Sequence, residues 1–169
     1  LALIGSDSNG TEISYDQLVN PRRPIPYESQ RIHGISDSDV RGEPDFAQIA
    51  DNVAELIEGC VLIGHNVRQF DLPMLRNEYL RFGALPPEPK AVLDTLEMVR
   101  RLKLPRPHRL GAQCTRHGIS LENAHTASAD AAASLLLLWK LGLDHPSYFR
   151  KSLQEVEQWC ATGSTAKAQ

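Results

Sequence analysis

The sequence predicts an α/β domain with a mixed central sheet flanked by helices, and three stretches carry that prediction. Leu1-Ala2-Leu3-Ile4 is apolar throughout and runs into Ser6-Asp7-Ser8-Asn9-Gly10, a strong turn signal, after which Thr11 to Val19 alternates loosely. Together these segments form a β-hairpin. Cys60-Val61-Leu62-Ile63, between Gly59 and Gly64, is apolar at every position, as a strand buried on both faces requires. Ala91-Val92-Leu93 is a second short strand, and each of these two strands leads into a helical pattern.

The remaining elements follow in order. Asn20 to Pro26 holds three prolines and two arginines, an extended connector that disfavours helix. Tyr27 to Val40 forms short helical turns around Ile32-His33-Gly34-Ile35, with Ser36 and Asp39 spaced to cap the second turn. Asp45 to Glu58 is an amphipathic helix that places Phe46, Ile49, Ala50, Val53, Leu56 and Ile57 on one face, and Gly59 stops it. A helix from about Asp71 to Phe82 turns Leu75, Tyr79 and Leu80 inward. Asp94-Thr95 caps a helix through Leu102, Leu104 to Arg109 is a basic, proline-broken loop, and Leu110 to His117 is a short helix ended by Gly118. Asn123 to Leu143 contains the longest apolar helix, expected to be buried on most sides. His145-Pro146-Ser147 starts a final helix, Tyr148 to Trp159, and Gly163 to Gln169 is a frayed tail. The division expected from this pattern is a domain over residues 1–143 and a C-terminal helix and tail over 144–169.

Bulk properties narrow the function. A chain of 169 residues is expected to be one domain with a substantial core. Hydrophobic and charged fractions of 41% and 23% exclude global disorder. A net charge of -3 gives no overall attraction to nucleic acid or membrane, so a polyanion site has to be a local patch. Cys60, Cys114 and Cys160 form neither a zinc site nor a disulfide framework, which favours a reducing compartment. With no apolar run of membrane-spanning length and no signal peptide, the expected location is cytoplasmic.

The chemistry is expected where a buried strand ends in polar groups and turns into a helix, the usual position of ligand sites in open α/β sheets. Ile63-Gly64-His65-Asn66-Val67-Arg68-Gln69-Phe70-Asp71 has that form and makes Asp71 the first candidate carboxylate. The alternative is that His65-Asn66 caps the helix and Asp71 complements its dipole. Asp130 is the second candidate. It stands among alanines near the start of the long apolar helix, where burying a carboxylate is costly without a partner, and a metal ion would offset that cost. His125 lies at the lip of the same helix. The alternative for this pair is a carboxylate hydrogen-bonded at a helix start and a surface histidine. Arg100 to Arg109 is the densest positive stretch, either a solvated helix end or a surface that tracks phosphates through residues such as Arg106 and Arg109.

Taken together, His65-Asn66 followed by Phe70-Asp71, then Asp94-Thr95-Leu96, His108-Arg109-Leu110, Gly118-Ile119, Ala124-His125 and Asp130-Ala131, resemble the DnaQ-like 3′–5′ exonucleases of the DEDDh class. The proofreading epsilon subunit of bacterial DNA polymerase III belongs to that class. Leu18-Val19-Asn20-Pro21 and Ile32-His33-Gly34-Ile35 match the region after the family's first two strands, so the resemblance covers about Leu1 to Leu143 in the correct order. It implies an RNase H-like fold and hydrolysis of terminal phosphodiesters of nucleic acid, DNA foremost. It also implies two divalent ions, Mg²⁺ or Mn²⁺, about 4 Å apart on the scissile phosphate. By this resemblance Asp71 and Asp130 are catalytic metal ligands and His125 is the general base, with an ordinary pKa near 6.5 suited to the role. Asn66, Phe70 and His65 would lie by the terminal nucleotide, with Arg106 and Arg109 on the backbone. The implied partners are a single-stranded 3′ end and a DNA polymerase subunit.

One part of the family pattern is absent. The Asp-x-Glu of the first strand, which supplies the other two carboxylates, is not in the sequence, and Asp7 and Glu12 fall at the hairpin tip and on the strand after it. The expectation is therefore a sheet lacking its first strand, between the hairpin and the strand ending at Ile63. That strand would come from an upstream segment or from another chain. As it stands the chain holds half a metal site, and hydrolysis is not expected of it alone. The alternative functions are a catalytically inactive nucleic-acid or partner-binding module of the same fold, and a polymerase-attached interaction domain that uses the helix after His145.

Overall fold

The computed structural model of the protein describes residues 1–120 and 126–161. The mixed sheet is realised as two separate pairs of strands. β1 (Ala2–Ser6) and β2 (Glu12–Asp16) form the expected antiparallel hairpin, with Ile4 opposite Ser14. β3 (Val61–Gly64) and β4 (Ala91–Asp94) pair in parallel, Val61 opposite Ala91 and Gly64 opposite Asp94. Among the described residues β1 pairs only with β2 and β3 only with β4, so each pair keeps an open edge at β1 and at β3.

Between the strand pairs run α1 (Tyr27–His33), α2 (Asp37–Val40) and α3 (Phe46–Ile57). Ser36 and Asp39 close a capping box on α2, as their spacing predicts. Asp45 and Gln48 do the same on α3, and Gly59 (φ +69°) supplies the left-handed residue that ends it. α4 (Asp71–Arg81) then packs against α3. Phe46, Ile49, Val53, Ile57 and Tyr79 form one core under Leu3, Tyr15 and Val19 of the hairpin region. The Tyr79 hydroxyl donates to the Ala50 carbonyl at 2.7 Å, which satisfies the buried phenol. Leu80, expected to point inward, is half exposed, because the α4 core stripe consists of Leu75 and Tyr79.

The second core lies around β4. α5 (Thr95–Arg101), α6 (Leu110–Arg116) and α7 (Ala127–Asp144) contribute Met98, Val99, Cys114, Leu137 and Leu141, all essentially inaccessible. α7 packs across both β1 and β3 and so spans the open edges of the two sheets. Its expected burial on most sides is corrected here. Only the stripe Ala133, Ser134, Leu137 and Leu141 is buried, whereas Trp139 is 67% and Leu143 60% exposed. Leu135, Leu136, Leu138, Trp139, Gly142 and Leu143 line a shallow apolar concavity on that outer side.

The single helix expected after His145 is two. α8 (Pro146–Phe149) begins with proline in its first turn, and α9 (Leu153–Ala161) restarts the chain direction. Ser152 is the reason for the break: its backbone N–H donates to Glu155 Oε2 at 2.9 Å and its hydroxyl accepts the Glu155 N–H, a cap that begins a new helix. α9 faces inward through Val156 and Cys160 onto β4 and α5. No helix of the described residues is long and apolar enough to cross a membrane.

Candidate active site

β3 ends at Gly64, where an added Cβ would lie 2.7 Å from the Val67 Cβ, so only glycine lets the chain fold back so tightly. Asn66 follows with φ +75°. Its carbonyl accepts the N–H groups of Gln69 and Phe70, and the Val67 carbonyl accepts that of Leu72, which winds the loop directly into α4. Phe70 occupies the N-cap position with no side-chain cap, so the capping role considered for His65-Asn66 does not occur. Asp71 opens the helix.

The loop is held from β4. Asp94, 1% exposed, accepts the N–H of Asn66 at 2.9 Å and of Arg68 at 3.1 Å, and also the N–H groups of Leu96 and Glu97 that begin α5. Four backbone donors converge on one buried carboxylate, which offsets the cost of its burial. The sequence shows Asp94 as a helix cap. Its second role, across the strand pair, depends on the parallel register and carries no sequence signal.

His65 ties a third segment to this end. One ring nitrogen, Nε2, lies 2.8 Å from the His108 carbonyl and the other, Nδ1, 2.9 Å from the Thr95 hydroxyl. A carbonyl only accepts, so Nε2 carries the proton. The Thr95 hydroxyl, 3.2 Å from the Gly64 carbonyl as well, has one proton to share between that carbonyl and Nδ1 of the neutral ring. Both nitrogens are thus engaged within the protein, and the ring reaches nucleic acid only by giving up one of these bonds. Burial lowers its pKa from the ordinary 6.5, against the opposing pull of the His108 carbonyl and the Asp94 charge. The same bond brings the basic loop beside the Asn66–Asp71 turn. Arg106 and Arg109 are exposed on that loop, Arg109 at the N-cap of α6, and Phe70 is 58% exposed next to Asp71.

The two candidate metal ligands stand on separate helices. Burial raises the Asp71 carboxyl above its ordinary 3.8, with the Asp94 charge adding to the effect. Asp130 lies in the first turn of α7, half-buried, near enough to Cys114 of α6 for its charge to help raise that buried thiol. Among the described residues no cation forms an ion pair with either acid. No group of three or more His, Cys, Asp or Glu gathers there either. His125 lies outside the described residues. Asp7 is committed to the hairpin turn, where Oδ1 accepts the N–H groups of Asn9 and Thr11.

With this geometry in place, the chain matches the exonuclease family over residues 1–138. It belongs to that family. A DNA polymerase III subunit epsilon-like protein of Rhodobacter capsulatus is 36% identical over 132 residues, 75% of this chain and 18% of that protein. A PolC-type DNA polymerase III of Streptococcus thermophilus is 32% identical over 126 residues, 74% of this chain and 8% of the relative. The exonuclease domain thus spans less than a fifth of either relative. Exonuclease X, solved in complex with 5′ overhanging duplex DNA, superposes with a TM-score of 0.69 at 18% identity, covering 94% of this chain and 88% of its own. The fold is the RNase H-like exonuclease fold, as the motifs imply.

Proposed function

We propose that this exonuclease-family domain is a metal-dependent 3′–5′ exonuclease domain acting on single-stranded 3′ ends, those of DNA in particular. The observation that carries the reading is Asp71: a carboxylate at the strand-to-helix turn, raised by burial and left without a cationic partner among the described residues. Oxygen donors of this kind suit Mg²⁺ or Mn²⁺, with Asp71 and Asp130 holding the ions. When bound, the pair supplies charge stabilisation to the attacking and leaving oxygens of the phosphodiester. His125 is the group that accepts the proton of the attacking water. Phe70 offers an exposed ring to the terminal base, Asn66 the turn beside it, and Arg106 and Arg109 the backbone contacts. His65 serves the same surface by fixing the basic loop. Exonuclease X was solved in complex with 5′ overhanging duplex DNA, and the relatives are named as polymerase III components. The first supports DNA as the substrate class and the second a polymerase subunit as partner.

Two carboxylates are half the set that the family resemblance implies, so hydrolysis needs two more. That shortage favours a second reading, a non-hydrolysing binding module for nucleic acid or a polymerase partner. A single-stranded DNA labelled at its 5′ end, incubated with the chain and Mg²⁺ or Mn²⁺, tests whether Asp71 and Asp130 suffice for hydrolysis. The expected result is binding without robust shortening. Shortening that disappears in Asp130→Ala shows instead that these acids suffice. The absence of both binding and shortening overturns both readings.

A further inference from the structure

The family match ends at residue 138, yet α9, beyond it, reaches back to the site loop. Glu157 Oε1 accepts the Val92 N–H at 2.7 Å and a guanidinium N–H of Arg68 at 3.2 Å. The same Arg68 nitrogen donates to the Val92 carbonyl at 2.6 Å. Glu157 and Arg68 together satisfy both backbone groups of Val92 on the outer edge of β4, as a neighbouring strand would. Arg68 is also a member of the turn that delivers Asp71, and its own N–H is one of the two that Asp94 holds across the strand pair. The chain of bonds therefore runs from α9 through Glu157 and Arg68 into the loop.

We propose that Glu157 is a positioning residue, acting through Arg68 to hold the 64–70 turn in the conformation that presents Asp71. The working exonuclease unit then extends through α9, and the inference rests on Asp71 being a metal ligand. Glu157 is a good candidate for a role beyond packing. It and Arg68 keep 30% and 23% of their side-chain surface exposed, whereas the core contact of α9 is made by Val156 and Cys160.

The test combines amide exchange with Mn²⁺ titration of the full chain, followed by water proton relaxation. In Glu157→Ala the Asn66 and Arg68 amides are expected to exchange about tenfold faster while Val53, in the other core, is unchanged. Mn²⁺ half-saturation is expected to rise by about threefold or more, a loss that positioning of a ligand predicts. Glu157→Gln, which keeps an acceptor for Val92, should recover part of both effects, and it replaces Glu157→Ala if that variant does not fold. Exchange within about twofold of the native chain, equal acceleration at Val53, or unchanged half-saturation each overturns the role of Glu157. Asp71→Asn is run alongside: if it leaves Mn²⁺ binding unaltered, the metal reading itself falls, whatever Glu157 does.

Discussion

The Asp94 carboxylate holds the Asn66 N–H at 2.9 Å while Asn66 sits in the left-handed region, so one buried acid on β4 fixes the sharpest bend of the loop after β3. Gly64 opposite Asp94 in the parallel register brings the two strand ends level, which makes the bond geometrically possible. The turn that carries Asp71 is therefore set by the pairing of β3 with β4.

Changing Asp94 should cost far more than changing an ordinary helix cap. Asp94→Asn replaces one acceptor oxygen by an amide that faces backbone donors. The expected loss is about 2–4 kcal/mol, against about 1 for a cap alone. Asn66→Gly should be nearly neutral, because glycine adopts the left-handed backbone freely, and Asn66→Val should cost about 1–2 kcal/mol. Urea unfolding of the three variants, alongside Asp45→Asn, checks the order. A loss at Asp94 no greater than at Asp45, which caps α3 without bridging strands, would contradict it.

His65 predicts a definite pH dependence. Its folded pKa lies below the unfolded value of 6.5 because burial disfavours the charged ring. Between those two values the unfolded chain binds more protons than the native one. The contribution is therefore fully present above about 6.5 and is lost as pH falls through the window. Tm should drop on acidification from pH 7, and the His65 ring protons should titrate with a midpoint below 6.5. A midpoint at that value would place the ring in solvent, and one above it would mean that the His108 carbonyl and the Asp94 charge outweigh burial.

Elements governed by local signals were legible in the sequence. The box at Ser36/Asp39 and the apolar strands at 61–64 and 91–94 needed only neighbouring residues to read. The family motifs likewise identified the fold, since order along the chain survives where identity is low. Illegible were relationships between distant segments: Asp94 to Asn66, His65 to the carbonyl of His108, Glu157 to Val92. In the long helix, composition misled. Ala131 to Trp139 is nearly all nonpolar, and nonpolarity alone does not tell which side meets the core.

That distinction on α7 is measurable. Leu137 is fully buried and Leu136 half exposed, although they are adjacent and chemically identical. Leu137→Ala should cost about 2–5 kcal/mol through lost burial and a residual cavity, and Leu136→Ala less than about 1. Equal losses would mean that the exposed side of α7 is covered in solution.

The basic loop makes an ionic prediction. If Arg106 and Arg109 each neutralise a phosphate of a single strand, replacing both by Gln lowers the slope of log K against log salt by about 1.4. Affinity then falls for all sequences alike, because backbone contacts carry no sequence information. Binding at several salt concentrations to two oligonucleotides of different sequence tests both statements.

Asp71 links stability to function in the opposite sense to His65. Its native carboxyl takes up a proton at a higher pH than the ordinary 3.8, because burial and the Asp94 charge disfavour ionisation. In the window above 3.8 the native state binds more protons than the unfolded chain, so ionising Asp71 weakens the fold as pH rises. At neutral pH the Asp71→Asn variant, isosteric and uncharged, should melt higher than the native chain while losing Mn²⁺ binding. Mn²⁺ should reverse the comparison by neutralising the native carboxylate, and should do so less well as pH falls through its raised pKa, where proton and metal compete. Melting curves of both chains with and without Mn²⁺ decide it. A variant that melts lower without metal would show Asp71 to be a structural helix-start residue, as its place in the first turn of α4 also allows.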